Sequence, residues 1–299
     1  MIVRANERDD EDDAARRDLP RGRPDTVAGE DASVTPSRST DPGRFVEGPS
    51  GRLIVRIAGD DGAALLLVHG LGGSGAQWTP QLQALGSSMR VVALDLRAHG
   101  RSEPPRDGEH GIGAFADDVL AIAGALGLDR FALAGHSLGA LVALEVASRE
   151  PARVTALALV DPSGDATGEP EAAIARTLAQ LAEDPRAEFT HHYREFLHGA
   201  RASTTKRVLA DLAATPEAAL LGGYAAAMRY PTRERLRAWR GPVLCVASAL
   251  NDSPGSLPHD VPELATEWLA PASHWLMLDR PEQVSGLLAE LVAGASRTR

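Results

Sequence analysis

Gly135-His136-Ser137-Leu138-Gly139 lies between an apolar run, Phe131 to Ala134, and an alanine-rich run that ends before Pro151. The arrangement reads as a strand, a sharp turn and a helix, with a serine at the apex. A residue at such an apex is held in a strained backbone conformation that only small neighbours permit. Gly135 and Gly139 remove the Cβ atoms that would collide across the turn. The bend lifts the Ser137 hydroxyl off the carboxyl edge of a sheet and aims the first helix amides at the same place. A short Gly-x-Ser-x-Gly string also arises by chance or as a plain glycine-rich turn. The strand before it and the helix after it are the context that favours a nucleophile.

The bulk numbers set the frame. A chain of 299 residues, 43% hydrophobic and 24% charged, has the composition of a globular protein with a full core. With aromatics at 4%, that core is mostly Leu, Val and Ala. The net charge of −10 argues against a nucleic-acid partner, which needs clustered positive charge. Lys206 is the only lysine and Cys245 the only cysteine, so no intrachain disulfide forms. No stretch has the length of a membrane span and the amino terminus lacks an apolar signal core, so the expected location is cytoplasmic.

Residues 1–44 are rich in Asp, Arg, Pro, Ser and Thr, and a disordered extension is expected there. From residue 45 strands and helices alternate. Strands are expected at Leu53 to Ile57, Leu65 to Val68, Val91 to Leu94, Phe131 to Ala134, Ala156 to Val160 and Val243 to Ala247. Helical spacing separates them at Gln77 to Leu85, Phe115 to Leu126 and Leu138 to Ser148. Strands apolar along nearly their whole length, alternating with helices, indicate a parallel sheet covered on both faces. The rhythm stops over residues 164–240, where Ala-, Arg- and Glu-rich helical spacing is punctuated by Pro185, Pro216 and Pro231. A helical cap inserted over the sheet edge is expected there, between core segments 45–163 and 241–299.

Two further segments bear on the chemistry. Leu65 to Val68 runs into His69-Gly70-Leu71-Gly72-Gly73, a glycine turn whose backbone amides suit an oxyanion. The expected donors are the amides of Leu71 and of Leu138. A phosphate-cradling loop is the other reading, and the absence of a Gly-Lys-Ser/Thr ending argues against it. His69 reads as structural. Near the carboxyl end, Ala272-Ser273-His274-Trp275 precedes a final helix that starts at Pro281, and a histidine on that loop can take the proton of Ser137. His110, His191, His192, His198 and His259 lack such context and are expected to face solvent. Trp78, His136 and Trp275 are candidate pocket residues. The cap residues Phe189, Tyr193, Phe196, Tyr224, Met228 and Tyr230 read equally as pocket lining or as cap core.

These segments, in this order, resemble the α/β-hydrolase family. Asp95-Leu96-Arg97-Ala98-His99-Gly100-Arg101-Ser102 adds to the resemblance, being similar to the Asp-Leu-Arg-Gly-His-Gly-Arg-Ser stretch common after the third strand of that family. The resemblance implies a mostly parallel, eight-stranded sheet with helices on both faces, and a Ser–acid–His triad with Ser137 as nucleophile and His274 as base. It implies no cofactor and no metal. The acid departs from the pattern. Where the family commonly carries Gly-x-x-Asp after the strand Val243 to Ala247, this chain has Ser248-Ala249-Leu250-Asn251-Asp252. Asp252 is the expected acid, Asp161 at the end of the fifth strand its rival, and Asn251 a neutral orienter as a third option. The expected activity is hydrolysis of an ester or lactone of a small molecule through an acyl-serine. C–C bond hydrolysis, cofactor-free perhydrolysis, acyl transfer and a non-catalytic ligand-binding role remain alternatives.

Overall fold

The computed structural model describes residues 43–297. The extension expected over residues 1–44 therefore lies, up to residue 42, outside the described residues. Arg44 belongs to the folded part, as the first residue of strand β1 (Arg44–Glu47).

Seven more strands follow: β2 (Arg52–Ala58), β3 (Ala64–Val68), β4 (Arg90–Leu94), β5 (Phe131–His136), β6 (Val154–Val160), β7 (Val243–Ala247) and β8 (Thr266–Trp268). They form one eight-stranded sheet in the order β1-β2-β4-β3-β5-β6-β7-β8. β1 and β2 pair antiparallel, as do β2 and β4; every other pairing is parallel. The central strands are apolar on both sides because both faces are covered. Leu66 and Val68 of β3 pack among Phe115, Val119 and Ile122 of α2 (Ile112–Ala125) and Leu141 and Leu144 of α3 (Leu138–Arg149). Leu65 and Leu67 point the other way, into a cluster with Leu82 and Leu85 of α1 (Thr79–Leu85) and Val284 and Leu288 of α11 (Pro281–Arg297). The alternation is the two-residue period of a strand buried on both faces.

Between β6 and β7 the chain forms five helices: α4 (Glu171–Glu183), α5 (Pro185–Phe196), α6 (Ala202–Ala214), α7 (Glu217–Met228) and α8 (Thr232–Ala238). Pro185 and Pro231 stand at helix starts, and Asp184 caps α5 by accepting from the Ala187 amide at 3.1 Å. Two short helices, α9 (Leu257–Asp260) and α10 (Leu276–Asp279), complete the order. No described helix is long and apolar enough to cross a membrane.

The Asp95–Ser102 segment is a structural knot. Asp95 accepts from the Gly75 amide at 2.7 Å, the Arg101 amide at 2.9 Å and the Arg56 guanidinium at 2.7 Å. It thereby ties the chain after β4 to the loop after β3. Arg97 pairs with Asp118, both buried, through bonds of 2.8 and 2.6 Å. Ala98 adopts φ 60°, a left-handed conformation, at the place where the resembling stretch has glycine.

Three buried histidines set an acid limit on stability. His69 donates from Nδ1 to the Gly70 carbonyl at 2.7 Å and accepts the Leu96 amide on Nε2 at 3.0 Å, so it is a neutral imidazole. Burial, the largest cause, lowers its pKa, pushes that of His99 down to about 3 and holds that of His136 well below 6.5. A depressed folded value means that the unfolded chain binds protons first. The stabilisation is complete above about pH 6.5 and is lost as pH falls towards the folded values, by up to about 1.4 kcal/mol per pH unit for each histidine. Urea unfolding at pH 7, 6 and 5 should show a midpoint that falls steadily. A midpoint flat over that range would mean that these rings take up protons in the folded protein.

Candidate active site

Ser137 stands between β5 and α3 with φ 52° and ψ −116°, a backbone conformation costly for a residue with a side chain. The two glycines make it possible. A Cβ on Gly135 would lie 2.1 Å from the Gly139 carbonyl oxygen, and one on Gly139 would lie 2.4 Å from that of Val68. The helix therefore starts directly against the strand ends, with the Leu138 amide in its first turn, where amides have no intrahelical acceptor. The Ser137 hydroxyl is hydrogen-bonded to Ser163 Oγ at 3.2 Å.

His274 sits on the loop before α10. Its backbone is held from two sides: the amide donates to the Phe196 carbonyl at 3.2 Å, and its carbonyl accepts from His136 Nε2 at 2.9 Å. Its ring Nδ1 lies 2.7 Å from Asp161 Oδ2. Asp161, fully buried at the end of β6, has φ 43°, which turns its side chain under the histidine. Three other donors meet the same carboxylate: the Ser248 amide at 2.7 Å, Ser248 Oγ at 2.8 Å and Asn251 Nδ2 at 2.6 Å. Burial pushes the Asp161 carboxyl up, but the bond and charge of His274 and the Ser248 and Asn251 donors outweigh it and hold its pKa below the ordinary value. Asp161 is thus an anion, and with Nδ1–H directed at it, Nε2 of His274 is the basic nitrogen.

Asp252, expected as the acid, is placed elsewhere. Its carboxylate is exposed and accepts from His259 Nε2 at 2.9 Å on the outer surface. The reason is the 3-10 turn Ala249–Asn251, which buries Asn251 and directs the next residue outward. Asp161, Asn251 and His274 come together instead.

A cavity of about 130 Å³ opens onto Ser137 and His274. Leu71, Leu138, His136 and Trp275 border it. Trp78 does not. It is fully buried, in the apolar cluster that holds Leu82, Leu85 and Met277. From the five-helix segment, α5 contributes Phe189, His192, Tyr193 and Phe196, and α7 contributes Tyr224 and Met228. Tyr230 is packed in the core instead, its hydroxyl donating to Glu145 at 3.1 Å. His192, expected to face solvent, borders the cavity with Nδ1 donating to the Glu188 carbonyl at 2.8 Å. Tyr193 donates to the Leu71 carbonyl at 2.5 Å and so pegs the glycine loop, whose Gly72 has φ 60°. Ser163 and Ser248 were not legible as partners of this site, because each is placed by a loop bend that no sequence period encodes, and Asn251, weighed as an orienter of the histidine, instead donates to Asp161.

Residues 63–281 match the family model described as alpha/beta hydrolase fold. A RutD protein of Rhizobium rhizogenes strain K84, provisionally named a carbamate hydrolase, is 45% identical over 101 residues, which are 34% of this chain and 38% of that protein. The chain thus spans little more than a third of that curated relative. A thermophilic esterase from Thermogutta terrifontis superposes with a TM-score of 0.72 at 22% identity, covering 84% of this chain and 99% of the other. An enol-lactonase from Burkholderia xenovorans LB400 gives a TM-score of 0.72 at 19% identity, covering 84% and 100%. At such identities the two structures speak for the fold. With a model matched from residue 63 to residue 281 and the eight-stranded, mostly parallel sheet that the fold requires, the chain belongs to the alpha/beta-hydrolase family.

Proposed function

We propose that the protein is a serine hydrolase that cleaves a carboxylic ester or lactone through an acyl-serine, with Ser137 as nucleophile, His274 as base and Asp161 as the acid. The observation that carries this reading is the 2.7 Å bond from His274 Nδ1 to a buried carboxylate, next to a serine whose strained backbone faces the same cavity. His274 Nε2 takes the Ser137 proton as Oγ attacks the substrate carbonyl, and Asp161 stabilises the imidazolium formed. The Leu71 and Leu138 amides bind the oxyanion, each worth about 3 to 4 kcal/mol in such a site. The proton then passes from Nε2 to the departing alkoxide, and water repeats the sequence on the acyl-serine. The hydroxyl's bond to Ser163 is a resting contact; such bonds commonly rearrange when substrate enters. Helices α4 to α8 act as the cap, closing the cavity over the serine.

The lining favours a neutral substrate. None of the described residues bordering the cavity is Arg, Lys, Asp or Glu. An ionised carbamate would lose its hydration there without gaining a cationic partner. A neutral ester, lactone or carbamate ester carries no such cost.

The test is p-nitrophenyl butyrate hydrolysis followed by mass spectrometry of the acid-quenched protein. A butyryl increment on the peptide containing Ser137 is expected. A folded protein inert towards short esters and lactones, with no adduct at Ser137, would leave the binding-protein reading in its place.

A further inference from the structure

Among the described residues that line the cavity, three polar atoms are buried without a partner: Asn251 Oδ1, the Tyr224 hydroxyl and His136 Nδ1. Asn251 Nδ2 faces Asp161 Oδ1 at 2.6 Å, and because a carboxylate only accepts, the amide orientation is fixed. Asn251 Oδ1 is then turned away, buried and without a partner among the described residues. Tyr224, on α7, borders the same cavity with its hydroxyl buried and likewise without a partner. Its ring packs edge-on against Phe189, with centroids 5.9 Å apart. Burial raises the pKa of that phenol, so it stays a donor. Elsewhere on the wall Tyr193 bonds the Leu71 carbonyl, Ser163 bonds Ser137, and His136 donates from Nε2 to the His274 carbonyl, its unpartnered Nδ1 lying beside Gly70.

A buried donor and a buried acceptor left unmade cost free energy each, and a cavity that keeps both is built for a ligand that supplies the complements. Resting on the serine-hydrolase reading, we propose that the acyl half of the substrate carries a secondary amide, its carbonyl accepting from the Tyr224 hydroxyl and its N–H donating to Asn251 Oδ1. The acyl half is chosen because it alone stays bonded to Ser137 through both steps, so contacts to it serve attack and deacylation alike. The enzyme is then selective for small acylamino esters or lactones over plain aliphatic ones.

Three methyl esters of equal chain length test this by deletion: methyl N-acetylglycinate, methyl 4-oxopentanoate, which lacks the N–H, and methyl pentanoate, which lacks both groups. With each kcat/KM divided by the ester's alkaline hydrolysis constant, a fall of about tenfold is expected at each deletion. In Tyr224→Phe the ratio of oxopentanoate to pentanoate should collapse to about one, and the thermal midpoint should not fall, since the lost hydroxyl had no partner. Equal normalised rates for the three esters in the wild type would overturn the proposal, as would an unchanged ratio or a lowered midpoint in Tyr224→Phe. Hydrolysis of none of the three, with no acylation of Ser137, would instead remove the serine-hydrolase reading itself.

Discussion

An Asp161→Asn protein is expected to lose about four orders of magnitude in kcat on an ester substrate, while Asp252→Asn stays close to the wild type. The four donors around Asp161 set the size of the effect: His274 Nδ1, the Ser248 amide and hydroxyl, and Asn251 Nδ2. A carboxylate accepts from all of them. An amide has one oxygen, so its NH2 takes the place either of Oδ2, facing His274 and the Ser248 hydroxyl, or of Oδ1, facing the Ser248 amide and Asn251 Nδ2. If it faces His274, the imidazole shifts to the tautomer with Nδ1 bare, and Nε2 arrives at Ser137 already protonated. If it faces the other two, donors oppose donors in a buried site, at a cost of about 1 to 3 kcal/mol for each unmade bond. Neither arrangement supplies the negative charge that stabilises imidazolium. The Asp252 carboxylate is exposed and pairs with His259. Its neutralisation alters a surface pair worth at most about 1 kcal/mol and nothing in the cavity. The kcat/KM values of both variants on one ester decide the matter, and the reverse ranking would return the acid to the β7 loop.

The contrast shows where sequence reading works on this chain and where it stops. The places of Ser137, at a sharp strand-to-helix turn, and of His274, on the loop before the last helices, were legible because each is bracketed by elements with strong periodic signals: β5 and α3 around the serine, and α11 after the histidine. Which carboxylate meets His274 was not legible, because Asp161 and Asp252 both follow a sheet strand, and spacing alone does not say which loop turns inward. The positive φ of Asp161 and the 3-10 turn that buries Asn251 decided it, and both are products of tertiary packing. Trp78 misled for a related reason. It is near the glycine loop in sequence, but the turn Gly75–Trp78, pinned by the Asp95 carboxylate through the Gly75 amide, carries the indole into the core. The strands β1 and β8 gave little signal. Both are edge strands; β1 is largely exposed and β8 has only three residues, so neither needs the two-sided apolar run that marked the central strands.

A single methyl group at position 135 should be nearly as damaging as loss of the acid. The alanine Cβ of Gly135→Ala would lie 2.1 Å from the Gly139 carbonyl oxygen, 2.3 Å from its carbon and 2.5 Å from the Ala140 nitrogen. All three are backbone atoms, so no side-chain rotation relieves the contact. The first turn of α3 must move off β5, and it cannot move freely, because Gly139 is itself lodged against the Val68 and His69 carbonyls. Displacing that turn takes the Leu138 amide out of reach of the oxyanion and releases the strained Ser137 backbone. Loss of one oxyanion donor alone costs about 100- to 1000-fold in kcat. A fall of at least that size is therefore expected, together with a lowered thermal midpoint. Gly286→Ala is the matching control. That position lies within α11, has open space around the added Cβ, and shows no positive φ. There alanine should raise stability by about 0.5 to 1 kcal/mol through helix propensity and leave turnover alone. If Gly135→Ala kept both the activity and the melting temperature of the parent protein, the strand and helix would not meet as closely as drawn. The serine would then have no reason to stand where the proposed chemistry needs it.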